Sequence, residues 1–128
     1  MRPTWVTVDL EAVAYNVAVF RDLVAPAEVC AVVKADGYGH GALPVAQAAL
    51  GAGATWLAVA LVEEAAALRG GGLDVPILLL SEPRQEEMAE VMMLGGVRPT
   101  VYTEAGIRAF AAVADPGTPV HLKVDTGM

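Results

Sequence analysis

The chain alternates between two kinds of segment, and that alternation limits what it can fold into. Short apolar runs at Val29–Val33, Trp56–Ala60, Val75–Leu80, Val97–Tyr102 and Val120–Val124 are separated by stretches rich in Ala, Glu, Gln and Leu. Two of those stretches end in Gly70-Gly71-Gly72 and Gly95-Gly96, the expected stop for a helix, since glycine enters the left-handed conformation cheaply. Successive runs are roughly 20 to 27 residues apart, a spacing that suits a repeated βα unit. Such repeats give parallel strands, wound into a barrel or into an open sheet with helices on both faces. Periodicity does not choose between the two. Five runs are too few for an eight-stranded barrel, and Asp125-Thr126-Gly127-Met128 opens a loop straight after the last run. The expectation is therefore an α/β fold, a partial (β/α)8 TIM-like barrel with parallel strands, truncated after about five strands.

Ahead of the repeat, Trp5-Val6-Thr7-Val8 reads as a short strand and Asp9 as a helix N-cap. Leu10, Val13, Val17, Phe20 and Val24 recur at helical spacing, and Pro26 closes that helix. Glu82-Pro83 reads as a helix start, with proline at the first position. Met88, Met92 and Met93 form a helical core stripe, Trp5 and Trp56 read as packing residues, and Glu63-Glu64 and Glu86-Glu87 as solvated faces or first-turn charges.

Composition narrows the class. The chain is 55 % hydrophobic, which excludes disorder. A net charge of −7 leaves no basic surface to displace phosphate counterions, so no nucleic-acid partner is expected. The eight Lys and Arg residues are scattered, so no polybasic membrane patch is expected either. The apolar stretch from Ala52 to Val62 is too short to span a bilayer, and the N-terminus has no signal core. A soluble, cytoplasmic protein fits, with the single Cys30 as a small buried hydrophobe. His40 and His121 have no Cys or carboxylate partners at ligand spacing, so no metal is expected.

The chemistry concentrates in Val33-Lys34-Ala35-Asp36-Gly37-Tyr38-Gly39-His40-Gly41. A lysine at the end of a buried strand is costly to desolvate. In parallel α/β folds the carboxyl ends of strands make the active face. A desolvated lysine has a lowered pKa and more free amine, which suits Schiff-base chemistry; the alternative is a lysine that snorkels to solvent. Gly37, Gly39 and Gly41 let backbone approach a ligand, with Tyr38 and His40 as polar tips. The pattern is neither G-x-G-x-x-G nor a Walker sequence.

This nine-residue stretch resembles the pyridoxal-phosphate attachment motif of the alanine racemase family. The resemblance implies that Lys34 binds the cofactor, pyridoxal 5'-phosphate, through a Schiff base and acts as one of two bases at the substrate's α-carbon. It implies that Tyr38 helps hold the cofactor phosphate. His121-Leu122-Lys123-Val124-Asp125-Thr126-Gly127-Met128 is similar to a second family segment, in which alternation puts His121, Lys123 and Asp125 on one face. There the resemblance implies a carbamylated lysine at Lys123, positioning an arginine near the cofactor's phenolic oxygen. A simple solvated Lys123–Asp125 pair is the alternative. Met128 is implied beside the substrate carboxylate through its backbone N–H. Trp5–Leu10 and Ala14-Tyr15-Asn16 resemble the family's opening strand and first helix, so the likeness runs from about Thr4 to the last residue.

The resemblance implies an alanine racemase, a bacterial cytoplasmic homodimer supplying D-alanine for peptidoglycan, with residues 1–128 as the N-terminal part of the barrel. Family parts without counterparts here are the arginine after Met128, the arginine at the pyridine nitrogen, the later phosphate ligands, the partner subunit's catalytic tyrosine and the C-terminal β-domain. Racemisation needs bases on both faces of a planar carbanion, and Lys34 serves one. Weak or no turnover and self-association through open strand edges are therefore expected. A racemase for serine or lysine, and a non-catalytic fragment or binding module, remain the alternatives.

Overall fold

The structure is a computed structural model that describes residues 2–127. It begins with helix α1 at Leu10–Val24, capped by Asp9, whose side chain accepts from the Ala12 amide at 3.0 Å. Strand β1 follows at Cys30–Val32, then a turn at Lys34–Gly39, helix α2 at Ala42–Gly51 and strand β2 at Trp56–Val59. Helix α3 spans Val62–Gly70, strand β3 Ile77–Leu79 and helix α4 Met88–Met93. Strands β4 (Val97–Arg98) and β5 (Thr100–Val101), helix α5 (Glu104–Ala111) and strand β6 (His121–Leu122) complete the series.

All strand pairs are parallel, in the order β1-β2-β3-β4 and, in a second small sheet, β5-β6. The five apolar runs of the sequence thus all form strands. The fourth is divided at Pro99, which has no N–H for the ladder. Val97 and Arg98 pair with β3, whereas Thr100 and Val101 pair with β6.

The register puts Val32, Ala58, Leu78 and Arg98 in one row across the sheet. Side chains on alternate positions, among them Val33, Leu57, Val59, Ile77 and Leu79, pack against the helices and are 0–1 % exposed. Leu68, Met88 and Val91 complete that layer from the helix side. Burying a side chain of this size stabilises the fold by about 1.5–3 kcal/mol, so the core lies between the sheet and its helices. The opposite face is open at β1, where Val32 is 41 % exposed, while β6 is exposed on both of its residues.

Several expectations change. Residues 5–8 form no strand, because no partner ladder meets them, and Trp5 lies exposed instead of packed. Cys30 is exposed rather than buried, since it shares the open face with Val32. The apolar groove beside α1 still pushes its thiol up, through partial desolvation. Met88 is core and Met92 packs against it, but Met93 points to solvent. Pro83 does not open a helix: a single 3-10 turn at Gln85–Glu87 precedes α4, and Glu82 is drawn to a neighbouring loop.

Candidate active site at the carboxyl rim of the sheet

The glycine-rich stretch after β1 is a left-handed turn, not an open loop. Ala35, Asp36, Gly37 and Tyr38 have φ of 51°, 53°, 62° and 57° and ψ of 50°, 46°, 37° and 36°. For a residue with a Cβ this conformation costs about 1–2 kcal/mol, and three of the four carry one. Strain of this kind persists only where the surroundings enforce it.

Four hydrogen bonds do so. The Gly37 amide donates to the Val33 carbonyl at 2.9 Å and the Gly41 amide to the Asp36 carbonyl at 2.8 Å. Asp36 Oδ1 accepts from the Ala42 amide at 2.8 Å, which fastens the turn to the start of α2. Glu64 Oε1 accepts from the Ala35 amide at 2.5 Å, which fastens it to α3. Gly37 is buried, and a Cβ there would meet the Ala42 nitrogen at 3.3 Å. His40 folds back on the turn, with Nδ1 3.0 Å from the Gly37 carbonyl oxygen.

The turn presents Lys34 and Tyr38 together, with the ammonium nitrogen 6.0 Å from the ring centroid. Lys34 is half-buried at the carboxyl end of β1 and Tyr38 is exposed. The lysine is therefore less desolvated than its place in an apolar run implied, and its amine is open to a carbonyl compound from solvent.

Lys123 lies on the same rim, just past the carboxyl end of β6, and is exposed. Its Nζ sits 5.5 Å from the ring centroid of Tyr102. Each lysine thus has its own tyrosine, and β2 to β5 stand between the two. Asp125 Oδ1 accepts from the Gly127 amide at 3.0 Å, making a local turn. Met128 lies outside the described residues.

Some residues that shape the site were not singled out by sequence. The Arg98 guanidinium stacks 4.6 Å from the Trp56 ring centroid, and His121 meets the same ring edge-on at 6.5 Å. This row lines the face on which the lysines stand. Its signal was available as a charged residue, Arg98, inside an apolar run. Glu64 and Glu82, by contrast, are carboxylates that tie loops together. Glu64 Oε2 accepts from the Ala60 and Leu61 amides at 2.9 and 3.0 Å. Glu82 accepts from the Tyr102 and Thr103 amides at 2.6 and 2.8 Å and from the Thr103 hydroxyl at 2.6 Å. Desolvation raises the Glu82 carboxyl, but those three donors outweigh it and hold the group below its ordinary value. A cleft of about 460 Å³ opens between Ala60–Glu63 and Ser81–Arg84, and neither lysine lines it.

Known proteins resemble this chain throughout. Residues 8–128 match the family described as "Alanine racemase, N-terminal domain". The alanine racemase of Desulforamulus reducens is 47 % identical over 130 residues, covering 98 % of this chain and 35 % of that protein. The alanine racemase of Symbiobacterium thermophilum is 46 % identical over 133 residues, covering 100 % and 34 %. Among solved structures, alanine racemase from E. faecalis superposes with a TM-score of 0.84 at 37 % identity, over 94 % of this chain and 34 % of that one. The enzyme from Bacillus anthracis with bound L-Ala-P gives a TM-score of 0.82 at 36 % identity, over 95 % and 32 %. The parallel sheet and its helices thus match part of the barrel in those enzymes. The chain spans about a third of the length of the relatives it matches.

Proposed function

Because the chain belongs to the alanine racemase family, through that family's N-terminal domain, we propose that it carries the cofactor-holding part of a pyridoxal-phosphate-dependent racemase that interconverts L- and D-alanine. One observation carries the reading: a primary amine stands at the carboxyl end of a parallel strand, at the head of an enforced left-handed turn. The side chains present fit pyridoxal phosphate. The Lys34 amine is accessible to an aldehyde carbon, and the Tyr38 phenol can donate to a phosphate oxygen.

When bound, pyridoxal phosphate supplies an electron sink for negative charge at the substrate's α-carbon. This chain's own residues bind, orient and move a proton. Lys34 anchors the cofactor and, once its amine is free, takes or returns the α-proton on one face. Tyr38 orients through the phosphate. Lys123 contributes as a carbamate that positions an arginine, and Met128 through its amide at the substrate carboxylate. The second face requires another base, so this part of the chain alone turns over slowly or not at all. In the reading proposed here the whole protein is a homodimer in the bacterial cytoplasm and feeds D-alanine to peptidoglycan.

The test is to add pyridoxal phosphate, follow the yellow absorbance band, reduce with borohydride and locate the adduct by mass spectrometry. An adduct confined to Lys34 and lost in Lys34→Ala is expected. No band, or adducts shared evenly between Lys34, Lys123 and the α-amine, refutes the reading.

A further inference from the structure

We infer that Glu64 is a positioning residue for Lys34, holding the left-handed turn through the backbone of the very next residue; the inference rests on the role proposed for Lys34. Ala35 is the first residue of the turn with positive φ, and its amide donates to Glu64 Oε1 at 2.5 Å. The other oxygen of the same carboxylate takes the Ala60 and Leu61 amides, at the junction of β2 and α3. One side chain therefore locks the β1 rim to the β2 rim. Of the four hydrogen bonds that enforce the turn, this one alone starts from the residue adjacent to Lys34 and ends on another βα unit. Releasing it lets Ala35 relax toward negative φ, which changes the direction in which the Lys34 side chain leaves the backbone.

The chemistry of the clamp requires a carboxylate. Three N–H donors converge on two oxygens, and both oxygens must accept. An amide has one acceptor and one donor end. In Glu64→Gln the carbonyl oxygen stays with the Ala60 and Leu61 amides, and the NH2 group then faces the Ala35 N–H, donor against donor. The variant is isosteric and leaves the start of α3 capped, yet it breaks the link to the lysine.

The experiment uses the full chain in three forms, wild type, Glu64→Gln and Glu63→Gln, whose carboxylate is exposed and accepts none of these amides. Without cofactor, amide exchange by NMR reads the clamp directly. Exchange at Ala35 is expected to quicken about tenfold in Glu64→Gln, the scale of a lost charge-assisted hydrogen bond, while the amides of Leu57 and Leu79 stay protected. Glu63→Gln leaves all three unchanged. With pyridoxal phosphate, the ratio of visible circular dichroism to absorbance reads how rigidly the achiral cofactor is held at Lys34. A threefold or greater fall in that ratio is expected in Glu64→Gln, at equal adduct yield on Lys34. A merely destabilised fold lowers both signals together and leaves the ratio alone. Unchanged Ala35 exchange, or an unchanged ratio, overturns the inference. Faster Ala35 exchange with no Lys34 adduct even in wild type refutes the cofactor reading, and with it the positioning role, while leaving the clamp as a tie between loops.

Discussion

Replacing Gly106 by alanine should destabilise this protein, although it places a better helix former inside a helix. Gly106 sits in the first turn of α5, where its amide donates to the Thr103 hydroxyl oxygen at 2.9 Å. Its backbone is ordinary right-handed helix, so alanine there gains up to about 1 kcal/mol in propensity. A Cβ, however, lands on the carboxyl group of Glu82. The Glu82 side chain must then leave its three donors on Tyr102 and Thr103. Hydrogen bonds to a charged group contribute about 1.5–3 kcal/mol each. Glu82 is only half-buried, so water recovers much of that, and a total loss of about 2–4 kcal/mol is reasonable. The net effect is a destabilisation of about 1–3 kcal/mol, or a fall in Tm of about 4–12 °C for a chain of this size. Thermal melts of Gly106→Ala, Glu82→Ala and the double variant form the assay. In the Glu82→Ala background the same glycine replacement should raise stability by about 1 kcal/mol, because only propensity remains. A Gly106→Ala protein that melts above wild type would refute the reasoning.

Glu82 is held below its ordinary value by its three donors against the opposing desolvation, and Glu87 by the Arg84 side chain first and the Arg84 amide second. Both are depressed in the fold, so their contribution is complete above the ordinary carboxylate value of 4.5 and is lost as pH falls through the lower folded values. The urea midpoint should drop in that acid range, and less steeply in Glu82→Gln; an equal slope in the variant would count against the assignment. The open face of β1, where Val32 is 41 % exposed, should drive concentration-dependent self-association, reduced in Val32→Thr. A wild-type elution volume on sizing that does not move with concentration would contradict this.

The sequence was most readable where one physical rule acts locally. The apolar runs became parallel strands, and α1 spans Leu10–Val24 behind its Asp9 cap as the spacing required. Lys34 was visible as a charge ending an apolar run. What could not be read depends on neighbours distant in the chain. Residues 5–8 have strand composition, but composition does not provide a partner ladder. Cys30 lies in an apolar run, yet only the packing decides that its face of β1 stays open. The three glycines after Lys34 pointed to a permissive backbone, but a left-handed turn that also recruits Ala35, Asp36 and Tyr38 depends on Glu64, twenty-nine residues away. Glu64 and Glu82 looked like ordinary helix-start charges because their partners are backbone amides, which carry no signature in a sequence. The Arg98–Trp56–His121 row left one sign, a charge inside an apolar run, but its members come from three strands and only the fold brings them together.

The division at Pro99 means that the two sides of the rim need not be equally durable. Pro99 is fully buried and its carbonyl accepts from the His121 amide at 2.9 Å, but it has no N–H with which to extend the ladder to β3. Strand β6 consequently hangs on β5 through a two-residue register, with both of its residues exposed. The strands β2 and β3 are flanked on both sides and sealed under the helices. Brief local opening, of the kind that frees an edge without unfolding a core, therefore costs little at Lys123. At Lys34 it requires parting β1 from β2 along the whole of β1 as well as the turn. Lys34 is thus held by a three-residue ladder and an enforced turn, Lys123 by a two-residue ladder.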